Sequence, residues 1–132
     1  MEFFLTEDAL FVLVASFLIG AAASLLAGAR MNDGGRLANV VGHGAAALGS
    51  LVGLAMSVVV LMNGRGVSWQ FDSAFPLLDL SFRIDGMGAF FLGLASLIAL
   101  LASIYGYGYQ QHFIGSGRLG SYGFFYNLFI GS

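Results

Sequence analysis

The chain has no cysteine and no lysine, and long stretches of it have no charge of either sign. Without cysteine there can be no disulfide, no thiolate-held iron–sulfur cluster and no Cys-x-x-Cys metal site. All five basic residues are arginine, and the net charge of −2 is spread over connecting segments. No basic face exists for a phosphate backbone, so nucleic acid is not an expected partner. Asp, Glu, Lys and Arg are absent from Ala9 to Ala29, from Leu37 to Asn63 and from Gly86 to Phe113. Each of these runs exceeds the roughly 20 apolar residues that a helix needs to cross a bilayer of ~30 Å hydrocarbon thickness. Charged residues make up 9% of the 132 residues, far below the roughly one quarter of soluble domains, and the length has room for three helices and part of a fourth but not for a separate soluble domain.

What is present organises into helices and one alternating segment. The N-terminal flank, Met-Glu-Phe-Phe-Leu-Thr-Glu-Asp, is acidic, whereas a secretory signal opens with positive charge. Ala21-Ala22-Ala23 loosely resembles a cleavage site, but the length of the run favours an uncleaved first transmembrane helix over about residues 8–29. Thr6 or Asp8 is the expected N-cap. Asn32-Asp33-Gly34-Gly35 is a turn signal that predicts a tight antiparallel hairpin with a second helix over about 37–62. Ala45, Gly49, Gly53 and Ser57 recur every four residues on that helix, which lets another helix approach closely. They either receive a specific partner helix or pack within this chain. Gly20, Ser24 and Gly28 repeat the pattern more weakly on the first helix.

From Asn63 to Asp85 the period changes to two. Val67, Trp69 and Phe71 alternate with polar residues, and after Ser73-Ala74-Phe75-Pro76 so do Leu78, Leu80, Phe82 and Ile84. This predicts a β-hairpin over about 67–84, held at the membrane surface because an open sheet edge is not tolerated in hydrocarbon. Trp69 and Phe71 suit an interfacial position. Asp85 is the expected cap of a third helix over about 86–109, ending in Tyr105, Tyr107 and Tyr109 at headgroup depth. A last apolar run, 122–132, has length for about half a bilayer at ~1.5 Å per residue. The fold class is therefore all-α integral membrane: three transmembrane helices plus the start of a fourth, with a β-hairpin on the outer surface. Arg30, Arg36 and Arg118 against Arg65 and Arg83 place the N-terminus and hairpin outside.

Few residues can carry chemistry. His43 lies inside the second span between Gly42 and Gly44, and is either a proton relay or a hydrogen bond across a helix interface. His112 sits at a helix end and reads as interfacial. Asp72, Asp79 and Arg83 read as solvated or paired within the hairpin. Gly106 and Gly108 follow no strand and make no nucleotide loop. No Ser/His/Asp set and no metal-ligand spacing occurs, so neither a catalytic residue nor a cofactor or metal site is expected.

The stretch LDLSFRIDGMGAFF, Leu78 to Phe91, carries a family resemblance. An alternating strand entering Phe-Arg-Ile-Asp, followed by Phe90 and Phe91, resembles the antiporter-like subunits of respiratory complex I. It is also similar to the related subunits of membrane-bound NiFe hydrogenases and formate hydrogenlyase. Those subunits commonly read Asp-x-Leu-Ser where this chain has Asp85, Gly86, Met87 and Gly88. The order of elements agrees, down to the tyrosines that end helix three and the Phe124–Phe129 run that opens helix four. The resemblance implies redox-driven proton or Na+ translocation in a large complex of the cytoplasmic membrane, with no redox centre in this subunit. The family's translocating glutamate and lysines lie on later helices, beyond the equivalent of Ser132, so none maps onto this chain. The chain is therefore expected to be the N-terminal, scaffold part of a larger or split subunit, with other membrane subunits and lipid as partners. The alternatives are a small anchor or assembly subunit and a self-contained oligomeric transporter.

Overall fold

The structure is a computed structural model and describes residues 2–30, 35–71, 80–115 and 118–132. A short 3₁₀ turn, Glu2–Leu5, leads into α1, Glu7–Arg30. Next come α2, Arg36–Asn63, and strands β1, Val67–Phe71, and β2, Leu80–Ile84. α3, Gly86–Gln110, runs on through a 3₁₀ turn, Gln111–Phe113, and α4 covers Leu119–Gly131. The fold is mostly helical with one antiparallel two-stranded ribbon. The segments Glu7–Ala29, Arg36–Asn63 and Gly86–Phe113 are long and apolar enough to cross a membrane.

Local chemistry sets the element ends. Thr6 stands just before α1, and its hydroxyl donates back to the Phe3 carbonyl at 2.6 Å. Asp8, the other expected cap, lies inside the first turn instead, where with Glu7 it suits the positive end of the helix dipole. Gly35 enters α2 with φ +89°, and Gly64 ends it in the left-handed region at φ +62°, its N–H donating to the Val60 carbonyl at 3.1 Å. Asp85 caps α3, its Oδ1 accepting from the Gly88 N–H at 2.7 Å. α4 starts at Leu119, three residues before the expected Tyr122. Leu119 is buried against Gly35, and Arg118 already accepts the first helical bond from the Tyr122 N–H.

α2 lies at the centre. It meets α1 antiparallel, from Gly42 beside Ser24, through Gly49 beside Ser16 and Phe17, to Gly53 beside Leu13. It meets α3 antiparallel as well, from His43 beside Gly106 to Ser57 beside Gly93. α4 packs antiparallel along α1, with Gly120 on Gly28, Gly123 on Ser24 and Gly131 on Phe17. The ribbon pairs Val67 with Ile84, Trp69 with Phe82 and Phe71 with Leu80. Val67 and Ile84 lean on the cluster around Ala9 and Met56 at the same end of the bundle.

The interior is built from small residues, while Leu18, Ile19, Ile98, Ile104 and many other large apolar side chains face outward. Such a surface is unsuited to water and suited to hydrocarbon. Three apolar helices with this distribution fit a multi-pass membrane protein. Tyr105, Tyr107 and Tyr109 are exposed at the end of α3, and the rings of Tyr105 and Tyr109 stack 6.1 Å apart. The turns expected at 32–35 and 73–76 lie largely outside the described residues. So do Asp72 and Asp79, and so do the side chains of Trp69 and Phe71.

Candidate functional site: a buried polar seam around His43

Inside lipid, apolar surface supplies no drive to bring helices together, so close packing and interhelical hydrogen bonds carry the association. The polar residues of α2 are therefore informative. His43 is buried on α2, and its Nδ1 lies 3.2 Å from the Asn39 carbonyl one turn back. That distance suits a ring N–H donating to the carbonyl, which leaves the Nε2 lone pair on the α3 side. The Nε2 edge lies against Gly106, where a Cβ would come within 2.5 Å. Tyr126 of α4 covers a face of the ring, its own ring stacked at 5.0 Å and 15°.

The surroundings are polar and uncharged. The Tyr126 hydroxyl lies 2.9 Å from Ser103 Oγ, and Ser103 donates to the Ala99 carbonyl at 2.8 Å. Asn39 Nδ2 donates to the Tyr107 carbonyl at 3.1 Å, joining α2 to α3. Asn127 Nδ2 donates to the carbonyls of Gly42 and Gly123, both at 2.9 Å, joining α4 to α2. Ser24 of α1 donates to the Ala38 carbonyl at 3.1 Å, and Ser57 to the Ala89 carbonyl at 2.5 Å. One helix thus reaches all three others through side chain to main chain bonds. The Oδ1 of Asn127 has no hydrogen-bond donor and lies against Gly20, where a Cβ would come within 2.8 Å of it. The Oδ1 of Asn39 has no donor either.

The stripe Ala45, Gly49, Gly53 and Ser57 does not face a single neighbour. Ala45 meets Gly20, and Gly49 meets Ser16 and Phe17, all on α1. A Cβ at Gly53 would come 2.5 Å from Ser96 Oγ on α3 and 3.3 Å from Leu13 on α1, and Ser57 lies on Gly93 of α3. Of the glycines beside His43, Gly42 faces Ser24 and Gly123, but Gly44 has nothing within 4 Å. At about 100° per residue, Gly44 turns outward where Gly42 turns in. Asp85 is exposed at its cap, His112 is exposed in the turn after α3, Arg83 is exposed on β2, and Gly108 has an open surround. Among the described residues no group of three His, Cys, Asp or Glu could hold a metal.

Sequence reasoning singled out His43, named Ser24 only as a small packing residue, and missed Asn39, Asn127, Ser103 and Tyr126. The signal was available for the first two: an amide inside an apolar run needs a partner there. Asn39 also precedes His43 by one turn. Tyr126 and Ser103 come from distant segments, and nothing local announces that they meet. As chemistry, the seam offers neutral hydrogen-bond exchange around an imidazole, with no carboxylate or cation among the residues just named.

Comparisons with known proteins point the same way as the resemblance. The chain is similar to hydrogenase-4 component B of Escherichia coli (strain K12), with 31% identity over 85 residues. The matched stretch covers 64% of this chain and 12% of that protein, so the chain spans a small part of its relative. No family model and no solved structure matches.

Proposed function

We propose that this chain is the scaffold portion of an ion-translocating membrane subunit in a hydrogenase-type or complex I-like assembly, which couples electron transport to movement of H+ or Na+. The observation that carries this reading is the similarity to a hydrogenase-4 component over 64% of the chain, in a protein whose three apolar helices are long enough to cross a membrane. Translocation of an ion through hydrocarbon needs ionisable residues along its path. Among the described residues Glu7, Asp8, Arg36 and His112 lie at the span ends; deeper in, His43 is the group that titrates near neutral pH, and its ring is engaged by Asn39, Tyr126 and Gly106.

On this reading His43 serves as a hydrogen-bonded interhelical contact and Asp85 as a helix cap. The Ala45, Gly49, Gly53 and Ser57 stripe serves packing within the chain. The N-terminus and the ribbon face outward from the cytoplasmic membrane, with the arginine-bearing ends of α1, α2 and α4 in the cytoplasm. The test is purification of a tagged chain from its own membranes in mild detergent, with mass spectrometry of what accompanies it. Co-purification of hydrogenase or dehydrogenase subunits in fixed ratio is expected. A chain that migrates alone or as a small homo-oligomer contradicts the reading and favours a self-contained transporter.

A further inference from the structure

Where α2 begins and α3 ends, a cleft of about 380 Å³ opens between Arg36, Asn39, Tyr107, Gln111 and Ile114. Its depth is fixed by its neighbours. Arg36 is the first residue of α2, Gln111 and Ile114 follow the last turn of α3, and Tyr105 and Tyr109 are exposed on the last turns of the same helix as Tyr107. Tyrosines at the end of an apolar helix mark the headgroup region of a bilayer, so the cleft lies at headgroup depth.

The lining states what the cleft can hold. Arg36 is its charged wall, and a guanidinium takes a phosphodiester through paired N–H donors. Asn39 forms the inner wall, 1% exposed; its Nδ2 is already committed to the Tyr107 carbonyl, and its Oδ1 has no donor. A buried acceptor without a donor is costly beside hydrocarbon, so the fitting ligand brings a hydroxyl or amine as well as an anion. An ammonium would sit near Arg36 with no carboxylate in the lining to balance it. A choline headgroup donates nothing. We propose that this cleft binds an anionic phospholipid whose headgroup carries free hydroxyls beyond its phosphate, as phosphatidylglycerol does. The phosphate lies on Arg36, a glycerol hydroxyl donates to Asn39 Oδ1 once the α2–α3 contact that closes it to solvent opens slightly, and the acyl chains run down the lipid-facing side of α3.

Native mass spectrometry of the full chain, released from bilayers of equal phosphatidylglycerol and phosphatidylcholine, reads the lipid retained. Retention of one phosphatidylglycerol, favoured at least about tenfold, is expected from charge-assisted bonds alone. Phosphatidic acid, with the charge but not the hydroxyl arm, is retained less well. Arg36→Gln abolishes the preference, whereas Arg65→Gln, past the far end of α2, preserves it. Equal retention of the two lipids overturns the proposal, as does an Arg36→Gln chain that is helical yet still selective. Soluble glycerol 3-phosphate binding as tightly as the lipid would assign the cleft to a free phosphate ester instead.

Discussion

The contact of α1 backbone on α4 backbone gives the sharpest stability prediction. A Cβ at Gly28 would stand 2.6 Å from the Cα and 3.0 Å from the N of Gly120, so the obstacle is backbone that no rotamer change can move. Carbon atoms rest about 3.5–4.0 Å apart, so Gly28→Ala must part α1 and α4 by about 1 Å. Overpacking of this kind costs about 1–3 kcal/mol. The same movement stretches the bonds of Ser24 to the Gly120 carbonyl, 3.4 Å, and of Asn127 to the Gly42 carbonyl, 2.9 Å. Interhelical bonds in bilayers average about 0.6 kcal/mol each, which brings the expected loss to about 2–4 kcal/mol. Gly44→Ala is the control, because nothing lies within 4 Å of it and alanine is the better helix former. It should be neutral or stabilise by up to about 1 kcal/mol. Reversible unfolding in mixed micelles, titrated with SDS and followed by near-ultraviolet circular dichroism, reads both. A Gly28→Ala chain within about 0.5 kcal/mol of the parent would refute the close backbone approach of α1 and α4.

Three further outcomes follow from the same contacts. Asn127→Leu removes the bond from α4 to the Gly42 carbonyl and should cost about 1 kcal/mol in the same titration, with faster hydrogen exchange along α4. His43→Leu removes the Tyr126 stack and the Asn39 bond; it should lower stability by about 1 kcal/mol while leaving ion translocation by the native complex unchanged. Asp85→Ala loses the bond to the Gly88 N–H and should cost about 1 kcal/mol, most of it restored by Asp85→Ser.

Much of the fold was legible because lipid imposes strict rules. A charge-free run of more than twenty residues has few structural options, and the three long helices fall within a few residues of their expected bounds. The ribbon was legible from its period of two, which the register from Val67 opposite Ile84 to Phe71 opposite Leu80 reproduces. α4 was misplaced by three residues because Leu119 is held by a tertiary contact with Gly35, which no local pattern records. Spacing likewise put Ala45, Gly49, Gly53 and Ser57 on one face but could not say that α1 and α3 share that face. The seam was least legible. His43 stands out in composition, but its partners Tyr126 and Gly106 lie more than sixty residues away in sequence.

The measurement closest to the central claim is redox-driven acidification of inverted membrane vesicles, followed with a pH-sensitive dye. Vesicles come from cells lacking the chain and from cells complemented with the parent or with His43→Leu. The account predicts that acidification driven by hydrogen or NADH falls away without the chain and returns fully with either version. Acidification that needs His43, or that proceeds unchanged when the chain is absent, would contradict a scaffold role in an ion-translocating complex.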